Sequence, residues 1–534
     1  MSIDSTNPAY AEFLEDWVQM RDTYGGERIV KRSGTKYLPA TQGMIADGMT
    51  YATQPGYQAY DAYRARARFP DVTKDAVEAL IGIMHRKPPQ IELPERMEFL
   101  RENATVQNES LVMLLRRINE EQLVSGRLGL LGDVADTGAR RDEPYISIYQ
   151  AESVINWDEG RSDGIEIQNL NLVVLDETED ERVSGFEWER QQKYRVLVLA
   201  PDESPESLVE IERAGAQSGG DGDAPVVNLP SGMGIYRMGV FRDNATSFDP
   251  SSMLTPRIRG AALEGSVPFV FINAKDVTAQ PDLPPLLGLS NLALGIYRGE
   301  ADYRQSLFMQ GQDTLVVIGG EEDRAYRIGA GASISVPVAG DAKFIGVDSA
   351  GLSEQRLALE NDYRRAGQRG GELLDMLGSG TASGEALRIR VAARTATVTQ
   401  LALAGAFGLQ AMLRILARWM RLDPEAVLVT PNLDFADDRM ASSELVQAMT
   451  AKTLGAPWSL RSIHVNMQER GLTDMSYEDE LEELGREAPL TQGSSDPDGP
   501  EADEPEDDSE DDPNGSDDGE SEDPEDEDPK ADGE

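Results

Sequence analysis

The stretch PPLLGLSNLALGIYRGEADYRQSLFMQG, residues 284–311, carries Leu289, Leu292, Ile296, Tyr303 and Leu307 at near 3.5-residue spacing. An apolar stripe of about five turns predicts one long helix that needs a partner helix. The partner lies downstream in SEQRLALENDYRRAGQRGGELLDML, which reads as helical from Ser353 to just before Gly378. Between the two, residues 312–352 hold the strand-like runs TLVVIGG and SISVPVAG among many glycines, predicting a small α/β or β element. After them, GSGTASG at 378–384 is a loop, because glycine and small hydroxyl residues do not order themselves. The longest helix should then run from 385 to 421 with Leu387, Val391, Val398, Leu401, Phe407, Leu409, Met412 and Leu416 as its apolar positions, stopping before Pro424. A short strand in AVLVTP and two or three helices between Ala441 and Leu484 follow.

Upstream, the first hundred residues read as helices. Thr73 is the expected N-cap of KDAVEALIGIMHR, in which Val77, Leu80, Ile81 and Met84 fall at helical spacing before Pro88 and Pro89. ESLVMLLRRINEEQLVSG places Leu111, Leu114, Leu115, Ile118 and Leu123 on one face and ends near Gly126. From about Gly129 to Ala274 the period shortens. PYISIYQ, NLNLVVLDE, KYRVLVLA, GIYRMGVFR and VPFVFINA predict a mainly antiparallel sheet, with ERAGAQSGGDGDAP at 212–225 as a surface loop. The class expected is α+β.

The 534 residues suffice for about three or four domain-sized units. The net charge is −46. Residues 494–534 hold 22 Asp or Glu against Lys530 alone, with no aromatic residue, Leu, Ile or Val, and so predict a disordered polyanion. The body still carries about −25, which argues against gripping the outside of a duplex, since phosphate binding needs clustered Lys and Arg. It is compatible with a conduit whose walls let DNA slide. There is no cysteine, so stability comes from packing and assembly. The N-terminus has no signal pattern, and the most apolar stretch, from Leu401, is broken by Gln410 and Arg414, so no membrane span is expected.

The order of these elements resembles the portal proteins of tailed phages, the siphophage-type family in particular. The run PYISIYQAESVINW at 144–157 and the helical start GYQAYDAYRARARFPDVTKDAVEALIGIMHRKPP belong to the likeness, which spans residues 10–485. It implies a wing over 1–283, stem helices over 284–311 and 353–376, a clip over 312–352 and a tunnel loop over 377–384. It further implies a long wing helix over 385–421, a helical crown over 422–492 and the acidic tail over 493–534. In that family twelve copies form a ring at one capsid vertex, through which DNA enters and leaves. The implied partners are further copies of the chain, double-stranded DNA read without sequence preference, the terminase large subunit, the major capsid protein, scaffold and head-tail adaptor proteins. The implied location is the virion, after assembly in the host cytoplasm.

Candidate chemistry is sparse. A phosphate loop needs GxxxxGK, and Glu385 follows Gly384. His85 and His464 have no second His or Cys at metal-ligand spacing, and no GxSxG elbow is present. No cofactor, metal or catalytic residue is expected. Carboxylates are too numerous for any pair to single out a hydrolase. The channel candidates are Ser379, Thr381, Ser383 and Arg388 at the loop, and Arg365 and Arg369 on the second stem helix. Arg364, Arg390 and Arg394 flank them, with ion pairing to carboxylates as the plainer reading of each arginine. The alternative function is an acidic DNA mimic or chaperone-like binder acting through the polyanion.

Overall fold

The computed structural model describes residues 2–135, 142–159, 170–204, 207–208, 234–242, 248–311, 314–318, 338–345, 351–374, 384–433, 435, 450, 452–455, 459–469 and 473–491. The segments 212–225 and 494–534 lie outside the described residues, as do Ser379, Thr381 and Ser383. Helix and sheet are mixed, an α+β composition. The chain divides into two units, Met1–Asp437 and Asp438–Glu534. Among the described residues, helices of ten or more residues are α1 (Pro8–Tyr24), α2 (Pro55–Arg66), α3 (Val72–Met84), α4 (Leu111–Val124), α5 (Leu287–Gln310), α6 (Leu352–Leu374), α7 (Gly384–Trp419), α8 (Leu460–Glu469) and α9 (Tyr477–Thr491).

Asn7 starts α1 by accepting the Ala9 N–H at 2.9 Å, and its amide donates to the Trp157 carbonyl at 3.1 Å, so the cap also ties the helix to a strand. Arg21, near the other end, reaches Glu152 at 2.5 Å and Glu121 at 2.9 Å. Thr73 is not an N-cap: α3 begins at Val72 and buries Thr73 completely inside its first turn. Asp71, just ahead of that helix, instead accepts the Glu27 N–H at 3.1 Å. Packing of the apolar face outweighed the local capping preference there. On α4, Leu111, Leu114, Leu115, Ile118 and Leu123 are all buried, Ser110 caps the start, and Gly126 takes φ +73° beyond the end.

Strands of four or more residues are β1 (Arg127–Val134), β2 (Pro144–Gln150), β3 (Val154–Glu159), β4 (Leu170–Asp176), β5 (Glu179–Arg182), β6 (Trp188–Gln191), β7 (Lys193–Ala200), β8 (Ile235–Arg242), β9 (Phe269–Asn273), β10 (Thr314–Ile318) and β11 (Asp341–Ile345). The sheet expected over 129–274 is split in two, in orders β9-β1-β2 and β3-β4-β7-β8, with every pairing antiparallel. The division falls at the single turn Ala151–Ser153, where the chain leaves β2 for the other sheet. Beyond Asp176 and Lys193 the β4–β7 ribbon continues outward as the β5–β6 hairpin.

The C-terminal half of α7 lies across the first sheet. A Cβ at Gly408 would stand 2.3 Å from the Ile272 side chain, and one at Gly405 would meet Asn119 and Gln122 of α4. These two glycines let the helix fit between strand and helix. Leu409, Met412, Leu416 and Trp419 are buried, whereas Phe407, expected inside, is 51% exposed because it projects from the opposite side of the helix. Trp419 packs edge-on to Tyr236 at 6.0 Å and donates to the Ala261 carbonyl at 3.1 Å. The polar interruptions Gln410 and Arg414 dock the next segment: Gln410 accepts the Val429 N–H at 2.9 Å and Arg414 pairs with Glu425 at 3.1 Å. That segment's strand, Leu428–Thr430, pairs with Gln90–Glu92. Ala396–Trp419 is long and apolar enough to cross a membrane, yet 72% of its most apolar window is buried in the protein, as in the core helix of a folded unit.

In the second unit α8 and α9 meet through His464, whose Nε2 lies 2.7 Å from Glu480, and through Arg461 with Glu478.

Candidate functional site

α5 and α6 form an antiparallel pair. Arg369 donates to the Gly288 carbonyl at 3.1 Å and Tyr363 to Glu300 at 3.1 Å, while Leu359 packs at Gly299, so the contacts run in opposite directions along the two helices. Glu300 is buried and also holds Arg304 at 2.5 Å. Burial and the Glu300 charge push the Tyr363 hydroxyl up to about 12, which keeps it a hydrogen-bond donor at neutral pH. Beyond the free ends of the pair, β10 and β11 make a small antiparallel ladder from Thr314↔Ile345 to Ile318↔Asp341. The partner of TLVVI is therefore DAKFI; of SISVPVAG, residues 333–337 lie outside the described residues.

The pair is unequally covered. The first half of α5 buries Leu289, Ala293, Leu294, Ile296, Tyr297 and Ala301 against the N-terminal helices. Its last turn leaves Leu307, Phe308 and Met309 between 41% and 49% exposed, and Leu357 on α6, two residues before the Leu359 that packs at Gly299, is 52% exposed. On α6 the buried apolar side chains among the described residues are Leu359 and Ala366.

Arg365 and Arg369 come together one turn apart on α6, where with Leu292 and Gln368 they line a cleft of about 430 Å³. Both are exposed; Arg365 pairs with Asp362 of its own helix at 3.5 Å. Arg364 donates to Asn361 at 2.5 Å. Arg388, Arg390 and Arg394 belong to the first turns of α7, whose side chains lie outside the described residues. With Ser379, Thr381 and Ser383 also outside them, the loop candidates stand as expectations.

A larger cleft of about 870 Å³ between β2 and the β4–β7 ribbon contains charged groups that pair with one another, although one buried Glu177 oxygen accepts no hydrogen bond. Arg195 reaches Asp133 at 2.6 Å and Glu177 at 2.7 Å, Lys193 lies 3.5 Å from Glu177, and the Tyr149 hydroxyl donates to Glu177 at 2.5 Å. Burial and Glu177 hold that hydroxyl well above the usual tyrosine range. No group of three or more His, Cys, Asp or Glu placed to hold a metal occurs among the described residues. His85 faces Asn119 at 2.9 Å, and burial lowers its affinity for a proton.

Two surface features were not anticipated from the sequence. The β5–β6 hairpin carries Phe186 at 96% and Trp188 at 65% exposure. Arg96, Arg259 and Arg421 gather around one notch. The run RVSGFEW, two aromatic residues beside a tight turn in an acidic context, was a signal for the first. The second joins residues far apart in sequence and had no local signal.

A family model for a domain of unknown function (DUF4055) matches residues 285–420, which is less than half of the chain but takes in α5, α6 and α7 together. No curated protein matches the sequence. Among solved structures the chain is similar to one from the neck of a native gene transfer agent particle computed with C12 symmetry, with 13% identity over 80% of this chain and 93% of the other and a TM-score of 0.33. A chain from the neck of the empty particle, computed with C6 symmetry, gives 14% identity over 80% and 93% at 0.33. One from the native virion gives 13% over 79% and 97% at 0.34. Superposition at this level assigns neither fold nor role to the present chain.

Proposed function

We propose that this protein is a portal-type subunit that assembles, about twelve copies to a ring, into a conduit for double-stranded DNA at a capsid vertex. In this reading it docks motor and head-tail components and carries out no catalysis itself. The observation that carries the reading is the unequal cover of the α5–α6 pair. Its proximal half is packed into the subunit, while Leu307, Phe308, Met309 and Leu357 are between 41% and 52% exposed, Phe308 lying beneath the Arg66 guanidinium. A closed ring provides a neighbour to cover them at every position.

Native mass spectrometry and negative-stain imaging of the full chain test this. The expected species is a ring of about twelve subunits with a hole that passes a duplex roughly 20 Å wide. A monodisperse monomer at high concentration overturns it. Deleting residues 494–534 separates the ring from the acidic-mimic alternative: the ring survives the deletion, whereas a mimic loses its partner.

A further inference from the structure

Resting on the ring reading, we infer that the β5–β6 hairpin is an arm that inserts into the arginine notch of a neighbouring copy. The hairpin spans residues 179–191, with five carboxylates (Glu179, Asp180, Glu181, Glu187, Glu189) against Arg182 and Arg190. The register sets Trp188 beside Arg182 on one side and Glu179, Glu181 and Glu189 on the other, with Phe186 in the turn, making a thin finger with an aromatic tip and one acidic face. Exposed aromatic side chains of this size on a two-stranded ribbon are a strong mark of an interaction site.

The notch, of about 380 Å³, has the complementary character. Ile258, Trp419 and Met420 form its floor, and Arg96, Arg259 and Arg421 stand around it. All three arginines are exposed, and none is ion-paired to a carboxylate among the described residues. In a body of about −25, three unpaired arginines in one place are an exception that an acidic partner segment explains. Arg259 and Arg421 also sit at φ +49° and +58°, backbone positions uncommon outside glycine, each aiming its side chain from a tight turn.

The two features lie at opposite ends of one sheet, which selects a second copy as the occupant. At one end of β8, Tyr236 packs on Trp419 of the notch; at the other, Arg242 pairs with Glu181 of the hairpin at 3.3 Å. The hairpin points onward from the Arg242 end. From Ala200 to Trp188 the ribbon is about 40 Å long at roughly 3.3 Å per residue. The finger is held away from its own notch, and a head-to-tail neighbour is the geometry that brings finger and notch together at each subunit boundary.

The absence of cysteine makes the test direct. In a chain carrying both Phe186→Cys and Arg259→Cys, mild oxidation should give a ladder of linked trimers, tetramers and higher species on non-reducing gels. Each single variant can give dimers at most. Charge reversal supplies the second arm: Glu187→Arg with Glu189→Arg, or Arg259→Glu with Arg421→Glu, should each reduce assembly at least tenfold, and combining all four should restore it. All four sites are exposed, so folding is preserved and far-ultraviolet circular dichroism verifies it. An assembled ring that gives no ladder and tolerates the reversals overturns this interface alone. A chain that stays monomeric throughout overturns the ring reading as well.

Discussion

The C-terminal half of α7 and the whole of α6 are both long amphipathic stretches, and the protein treats them in opposite ways. Val398, Leu401, Leu409, Met412, Leu416 and Trp419 of α7 are buried within the subunit, so this half of the helix, Phe407 apart, finds its apolar neighbours in its own chain. On α6, Leu359 and Ala366 are buried, while Leu357 and Tyr363 remain partly in water. Burial of apolar surface is the main favourable term in folding. The first helix therefore serves the stability of the subunit, and the second is left with surface suited to assembly.

That contrast can be broken from the α7 side first. Trp419→Ala removes a fully buried ring, its contact with Tyr236 and its bond to Ala261, and should cost about 3–5 kcal/mol in chemical denaturation of the first unit. A loss below about 1 kcal/mol would show that α7 is not a core helix. Gly408→Ala adds a methyl where a Cβ stands 2.3 Å from Ile272, so a destabilisation of about 1–3 kcal/mol is expected by the same measurement. On the other side, Phe308→Ser with Leu357→Ser should cost subunit stability about 1 kcal/mol per site, less than either α7 change at its upper range, since both side chains are half in water and Phe308 gives up its contact with Arg66. The same pair should abolish the ring in native mass spectra, and a ring that survives places its contacts elsewhere. Arg365→Gln is the mildest change. Its side chain is 70% exposed and its partner Asp362 36%, so thermal stability should not move measurably, and any assembly defect would point to a role for the guanidinium beyond its own helix.

Much of the helical framework was legible because it rests on periodicity. The 3.5-residue stripe from Leu289 and the limits at Pro284 and Gly311 anticipate α5, which runs from Leu287 to Gln310. The interruption at Gly378–Gly384 and the stop before Pro424 likewise anticipate α7, which runs from Gly384 to Trp419. The strands PYISIYQ and KYRVLVLA were readable from their alternating or β-branched runs. Failures came where a long-range contact decided a local choice. Thr73 has a capping side chain but lies inside α3, because the apolar face of that helix starts a residue earlier. Phe407 has the right residue type for the core and projects to the wrong side of α7. The turn Ala151–Ser153, which divides the sheet, is three residues without glycine or proline and carries no breaker signal.

By itself the sequence determined the helix and strand content, the acidic balance with its charge concentrated at 494–534, and the absence of thiol chemistry. Each depends on neighbours in the chain or on composition. Only the tertiary structure decided that Arg96, Arg259 and Arg421 share one notch, that Phe186 and Trp188 stand on a hairpin extending from one end of the four-stranded sheet, and that most apolar side chains of the C-terminal half of α7 are buried while Leu307, Phe308, Met309 and Leu357 are half exposed. Those relations join residues hundreds of positions apart. They are set by which apolar faces find each other first, a competition that spacing along the chain does not encode.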